Sequence, residues 1–208
     1  MAASIDDLTA LFRRLAIPVR THRHPPLFTV AESQALRGEI AGGHTKNLFL
    51  KDKKGRVFLV VALEDMPIDL KSLHGVIGCG RLSFASAELM EQLLGVRPGS
   101  VTPFGLISDT GRRVEVILDA AMMDCATLNF HPLSNDATTS ISSTDLLRFI
   151  AAAATGPPFW RCRRRQARCR QAPAAAQKRW GGSPARAAST DRAFESGGKK
   201  PILVCRSA

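Results

Sequence analysis

The side chains able to do chemistry in this 208-residue chain are scattered, and the familiar catalytic spacings are missing. No G-x-S-x-G elbow presents a serine nucleophile, and no H-E-x-x-H sets two imidazoles on one helix face for zinc. Gly43-His44-Thr45-Lys46 brings a glycine and a lysine together but lacks the G-x-x-x-x-G-K-[ST] order of a phosphate loop. His22 and His24 fall two apart on one face of an expected strand, without further Cys or His at ligand spacing, and read as surface residues. If the chain is an enzyme, the expectation is one that uses neither a metal nor a covalent nucleophile, and no cofactor is implied.

The elements that must position any such chemistry follow from periodicity and punctuation. Ser4 with Asp7 forms a capping box before Leu8, Leu11, Phe12 and Leu15, which predicts a helix over 5–15 that ends before Pro18. Residues 19–23 alternate like a short strand, and Thr29 with Glu32 caps a short helix through about Leu36. Residues 47–51 and 57–63 predict a hairpin around the turn 52–55. Its second run, VFLVVAL, is apolar throughout, as in a strand buried on both faces.

Further along, the pattern predicts a helix over 69–74, a strand over 82–84 and a helix from the Ser86 cap to Leu94, stopped by Gly95. A loop over 99–103, strands over 114–118, 127–131 and 137–141, and a helix from Ser142 to about Ala153 complete the series. Strands and helices mix without regular βαβ alternation, which predicts an α+β domain: a mixed central β-sheet with flanking helices.

Charge divides the chain in two. Residues 1–156 hold 16 basic and 16 acidic side chains, whereas 157–208 hold 13 basic and 2 acidic ones, so the net charge of +11 belongs wholly to the last quarter. That quarter is rich in Arg, Ala, Gln, Ser, Gly and Pro and cannot bury enough apolar surface to offset its ordering entropy. The expected organisation is a domain over 1–156 and a structureless basic tail over 157–208. The tail's composition fits a backbone-attracting arm for nucleic acid and a non-native extension alike.

Five cysteines, an odd number without a C-x-x-C pair, argue against a disulfide framework and for a reducing compartment. No signal peptide opens the chain, and no apolar run is long enough to span a bilayer. The expectation is a soluble, cytoplasmic protein.

Four segments go beyond composition: HPPLFTVAES at 24–33, HTKNLFLKDKKGRVFLV at 44–60, GRLSFAS…LLGVRPGSVTPFGL at 80–106 and NFHPLSNDATTSIS at 129–142. In this order and spacing they closely resemble the bacterial prolyl-tRNA editing proteins. Those are free-standing relatives, in the YbaK/ProX superfamily, of the editing domain inserted in prolyl-tRNA synthetase. The resemblance covers residues 5–156. It implies hydrolysis of the ester between an amino acid and the terminal adenosine of mischarged tRNA for proline, carried out in trans. The substrate's ribose 2′-hydroxyl would assist the attacking water. The implied partners are that tRNA's acceptor end and prolyl-tRNA synthetase, and no membrane.

Residue by residue, the resemblance puts the family's functional lysine on Lys46. Its G-x-x-x-P loop falls on Gly99, Ser100, Val101, Thr102 and Pro103, and its histidine on His131. An ammonium at Lys46 suits a phosphate or an ester oxygen. Backbone N–H groups at Gly99 suit an oxyanion, and Pro103 would stiffen the loop. Without the resemblance, Lys46 reads as a solvated strand lysine and His131 as a structural imidazole. Lys51, Lys53, Lys54 and Arg56 at the hairpin turn read as turn solvation or as acceptor-stem contacts.

Alanine is smaller than proline, so a proline-charging site cannot exclude it by size and a second sieve is useful. The segments resemble the alanine branch of the family more than the cysteine branch. Val30, with Leu27 and Phe28, is the candidate apolar wall of the amino-acid pocket. The alternatives are a cysteinyl ester and a non-catalytic tRNA-binding or synthetase-associated module.

Overall fold

The apolar run VFLVVAL becomes strand β3 (Val57–Leu63), and all seven of its residues are buried. Its hairpin partner is longer than the sequence predicts. Strand β2 (Gly43–Asp52) takes in His44, Thr45 and Lys46, because these pair with Glu64, Leu63 and Ala62 at the far end of the ladder. The computed structural model describes residues 2–26, 40–153 and the backbone of 202–205.

Around this hairpin runs an eight-stranded mixed sheet. It adds β1 (Val19–Arg23), β4 (Leu82–Phe84), β5 (Val114–Asp119), β6 (Thr127–Phe130), β7 (Ala137–Ser142) and β8 (Ile202–Cys205). The order is β1-β7-β6-β2-β3-β5-β8, with β4 also on β2. β2 with β6 and β3 with β5 are parallel, and the other pairs are antiparallel. Helices α1 (Ile5–Arg14), α2 (Leu70–Ile77), α3 (Ala87–Leu94) and α4 (Ser143–Ala153) flank it. This is the expected α+β class.

Caps fix the helix ends as the sequence predicts. Ser4 and Asp7 form both bonds of the capping box, and Ser86 accepts from the Leu89 N–H. Gly95 closes α3 with φ +66°, a left-handed conformation that costs glycine little. The reading of 69–74 is short by one turn: α2 continues to Ile77 and closes on Gly78. Two 3₁₀ turns, Pro103–Ser108 and Ala120–Asp124, carry no helical periodicity and escape the sequence analysis.

Two apolar clusters hold the sheet. The larger packs one face, through Phe49, Leu59, Val61, Leu118, Leu128 and Phe130, against α1, α3 and α4. Phe104 lies at its centre, with ring centroids 5.2 Å from both Phe12 and Phe149 and 5.6 Å from Phe130. Burial of each such ring stabilises by about 2–3 kcal/mol, so the Pro103–Ser108 turn is anchored from three sides. The smaller cluster lies on the opposite face, where α2 sets Leu73 and Ile77 over Leu50, Phe58, Val60 and Ile117.

Two expectations need correction. Within the stretch expected to be structureless, the apolar tetrapeptide 202–205 adds β8 to the edge of β5, since an ILVC run can use an open ladder. Cys125, 1% exposed in the larger cluster, is disulfide-bonded, whereas Cys79 is a free thiol. An odd count and the lack of C-x-x-C speak only of neighbours in sequence, and a bridge depends on neighbours in space. No helix among the described residues is long and apolar enough to cross a membrane.

Candidate functional site

β2 is paired with β3 along almost its whole length, but its other edge changes partner. Near its start it pairs with β6, at Gly43 with Leu128 and His44 with Asn129. Near its end it pairs with β4, from Leu50 to Asp52. Among the described residues no strand pairs with 46–48 on that edge, so the sheet forks there. Lys46 and Asn47 occupy the fork. Such divergence points leave a crevice at strand ends, the general location of ligand sites in open sheets.

Directly paired residues share a face, and the register fixes what surrounds Lys46. It pairs with Ala62, on the face opposite the larger cluster. The small Ala62 leaves the lysine stem room, and the amine donates to the Met66 carbonyl, in the loop after β3. Lys46 is half-buried and makes no ion pair with a described residue. Among the described residues no anion meets its charge.

The β2–β6 ladder ends at His44 with Asn129, two residues before Lys46, and His131 is the first residue past β6. The His131 Nδ1 lies 3.3 Å from the Ala137 carbonyl. A carbonyl can only accept, so Nδ1 carries the proton and the neutral ring keeps its lone pair on Nε2. Burial lowers the imidazole pKa below its ordinary range, partly countered by that carbonyl, and nearby His24 lowers it further. At neutral pH the ring is an uncharged acceptor.

Polar residues continue outward across the same face. The register joins Thr138 of β7 to His22 of β1, and Ser140 to Arg20. The His24 Nε2 lies 3.0 Å from the Thr138 hydroxyl, and its Nδ1 2.8 Å from the Pro25 carbonyl. Asn129, 4% exposed, donates to the Ala41 carbonyl at 3.2 Å and accepts from the Ser140 hydroxyl at 2.6 Å. Thr45 donates to the Asn129 carbonyl at 2.9 Å, which ties the fork's near side to β6.

The 99–103 loop is built from the other side of the sheet. Gly99 has φ +89°, and a Cβ there would meet nothing within 4 Å, so its glycine serves backbone conformation. The Ser100 N–H donates to the Arg97 carbonyl at 3.0 Å. Thr102 is fully buried, and its hydroxyl accepts from the Phe104 N–H at 3.3 Å. Pro103 opens the 3₁₀ turn and is buried, while Val101 packs against the larger cluster.

Thr102 and Pro103 thus serve the loop's own shape, and Gly99, Ser100 and Val101 are what it can offer a ligand. No hydrogen bond among the described residues links this loop to Lys46 or His131. Lys46 on β2 and His131 just past β6 both lie beyond the last β2–β6 pair, and the loop is a separate element anchored by Phe104. Val30, Leu27, Phe28 and the Thr29–Glu32 capping box lie outside the described residues.

Two residues of this region went unnoticed in the sequence. Asn47 pairs with Val61, on the larger cluster's side of the fork, and its Oδ1 is buried without a hydrogen-bond partner. Its place beside Lys46 in HTKN was the available signal. Asp119 ends β5 one residue past the Val61–Leu118 pair, level with Ala62 and so on the Lys46 face. Burial raises its carboxyl pKa, the Ala121 N–H lowers it in part, and Asp124 and Asp65 raise it again; its Oδ2 has no partner.

The hairpin-turn cluster is weaker than its sequence suggests. Arg56 is held by Glu115 through two bonds of 2.8 Å and lies over the Phe58 ring at 5.0 Å. Lys53 and Lys54 are exposed at the opposite end of β2, roughly 25 Å along the strand from Lys46. Among the described residues no group of three or more His, Cys, Asp or Glu is arranged to hold a metal.

Comparison with known proteins finds a match to the family model of the aminoacyl-tRNA editing domain over residues 24–149. The chain is 40% identical over 146 residues to prolyl-tRNA synthetase associated domain-containing protein 1 of Danio rerio, covering 69% of this chain and 79% of that one. It is 39% identical over 130 residues to the prolyl-tRNA editing protein ProX of Acetoanaerobium sticklandii, covering 62% and 79%. In fold it is similar to a solved candidate trans-editing enzyme for prolyl-tRNA synthetase, with TM-score 0.59 at 19% identity, over 73% of this chain and 94% of the other.

Proposed function

The chain belongs to the aminoacyl-tRNA editing domain family, and from that premise we propose that it deacylates mischarged tRNA for proline in trans, with the alanyl ester as substrate. The observation that carries the reading is the fork of β2, where the Lys46 ammonium has no carboxylate partner among the described residues and His131, just past β6, is a neutral imidazole.

In this reading Lys46 holds the terminal phosphate or the ester carbonyl oxygen of the substrate. Water adds to the ester carbonyl carbon, and the negative charge passes to its oxygen. That charge is met by Lys46. The substrate's 2′-hydroxyl assists the water. His131 Nε2 accepts a hydrogen bond from the substrate and so orients it. The C–O bond to the ribose breaks, the 3′-oxygen takes a proton, and free amino acid and tRNA leave. An aminoacyl ester is already activated, so positioning and oxyanion stabilisation account for the rate without a covalent intermediate.

Selection for alanine over proline rests on a pocket too small for the pyrrolidine ring, a discrimination by steric exclusion.

The test is deacylation of alanyl-, cysteinyl- and prolyl-tRNA bearing the proline acceptor. Loss of the alanyl ester alone is expected. Loss of the cysteinyl ester alone reassigns the pocket to a thiol-bearing substrate, and loss of neither leaves a tRNA-binding or synthetase-associated module.

A further inference from the structure

Six of the seven phenylalanines among the described residues are buried: Phe12, Phe49, Phe58, Phe104, Phe130 and Phe149. The seventh, Phe84, is 62% exposed, the most exposed large apolar side chain among them. It ends the short strand β4 and pairs with Leu50 of β2. Leu50 belongs to the smaller cluster and shares its side of β2 with Leu48 and Lys46, two and four residues earlier. Directly paired residues share a face, so Phe84 stands on the Lys46 face.

Its place is the rim of the fork. Residues 46–48 have no strand on that edge of β2 among the described residues, and β4 takes up the pairing at Leu50. Leu50 lies about 13 Å along the strand from Lys46. Between them Leu48 is half-buried at the margin of the smaller cluster. Ile68 and Leu70, where the chain enters α2, are half-buried at the same margin. One face thus carries an ammonium, a leucine floor and an exposed phenyl ring in sequence.

We propose that Phe84 is a stacking platform for a base of the RNA's unpaired 3′ end, whose terminal nucleotide lies at Lys46. This rests on the reading of the protein as an editing domain and adds where a base of its substrate is held. Every base has a π-face that a phenyl ring can cover, so the contact holds a base without reading its identity. A base inside a duplex is already stacked on both sides, and the platform therefore takes only unpaired ones. Folding asks little of this ring. The backbone ladder to β2 and Leu82, 6% exposed, fix β4 without it.

The experiment uses the full chain and two RNA hairpins of one acceptor stem, each with an unpaired CCA-length end. In one hairpin the last three nucleotides carry their bases; in the other the same sugar–phosphate chain lacks them, so the charge is equal. Affinity is measured by fluorescence anisotropy. The wild type is expected to prefer the hairpin with bases. Phe84→Ala should weaken that binding about tenfold and leave the other hairpin unchanged, while Phe84→Trp keeps or tightens it. The melting temperature of Phe84→Ala should stay within about 2 °C of wild type.

Equal weakening of both hairpins by Phe84→Ala would show a general effect and overturn the platform. Unchanged affinity of that variant for the hairpin with bases, or a wild type indifferent to the bases, overturns it as well. Hydrolysis of the three aminoacyl esters is followed separately. Its failure removes the editing reading, while the hairpins still report whether Phe84 holds a base.

Discussion

Replacing Lys46 with methionine separates a binding ammonium from a structural one. Methionine keeps most of the stem against Ala62 and removes only the charge and its bond to the Met66 carbonyl. Loss of that half-exposed bond should cost about 0.5–1.5 kcal/mol of stability. For a chain of this size that corresponds to a melting temperature lower by about 2–5 °C. If the amine meets developing charge on the ester, its removal costs about a hundred- to a thousandfold in rate, or ~2.7–4 kcal/mol of transition-state stabilisation.

The two scales are far enough apart to be read independently. Single-turnover deacylation of alanyl-tRNA gives the rate, and thermal unfolding gives the stability. A kcat lowered at least a hundredfold with a melting shift of a few degrees supports the reasoning. A rate within threefold of wild type in a folded variant refutes it. So does a melting loss above about 10 °C, which would make Lys46 a tie between β2 and the loop after β3.

Three further outcomes are expected. For His131, burial lowers the folded-state pKa, so the unfolded chain binds the proton more readily. Stability should fall as pH drops through the ordinary imidazole range, and pH-dependent unfolding of His131→Asn should show a shallower fall. Asp52 accepts from Lys54, Arg56 and Gly80 N–H groups at 2.8, 3.0 and 3.1 Å, so Asp52→Ala should cost about 2–4 kcal/mol in denaturant unfolding. Burial raises the Asp52 pKa, but these bonds outweigh it and hold it low; its contribution is present above the unfolded carboxyl pKa and lost as pH falls through the folded one, so Asp52→Asn should flatten the acid limb. Gly95→Ala forces a Cβ to 2.8 Å from Ser108 Oγ at φ +66° and should destabilise by about 1–3 kcal/mol with unchanged deacylation at 25 °C.

Much of the fold was legible because its signals are local. The Ser4–Asp7 capping box, VFLVVAL and the glycine after Leu94 each state an element within a few residues, and each appears where expected. The 3₁₀ turns were not legible, since five or six residues of aperiodic sequence look like loop until Phe104 finds Phe12, Phe130 and Phe149. Of the candidate site, Lys46 and His131 stood out only through the resemblance. Their places, one on β2 and one just past β6, follow from a topology that joins strands more than 80 residues apart, which spacing cannot reveal. Asp119 was invisible for the same reason: its partnerless oxygen exists only once the loops around it are folded.

The uneven covering of the sheet has a consequence for how the protein can change. Beneath α2, each apolar side chain is locked by neighbours, and altering one disturbs stability at once. Across β6 and β7 the outward positions Asn129 and Thr138 are buried and hydrogen-bonded, so altering them also disturbs folding, whereas exposed Arg20 at the β1 edge can be exchanged at little cost. Tolerance to substitution is therefore concentrated at the sheet's rim, while the framework that presents Lys46 and His131 stays fixed.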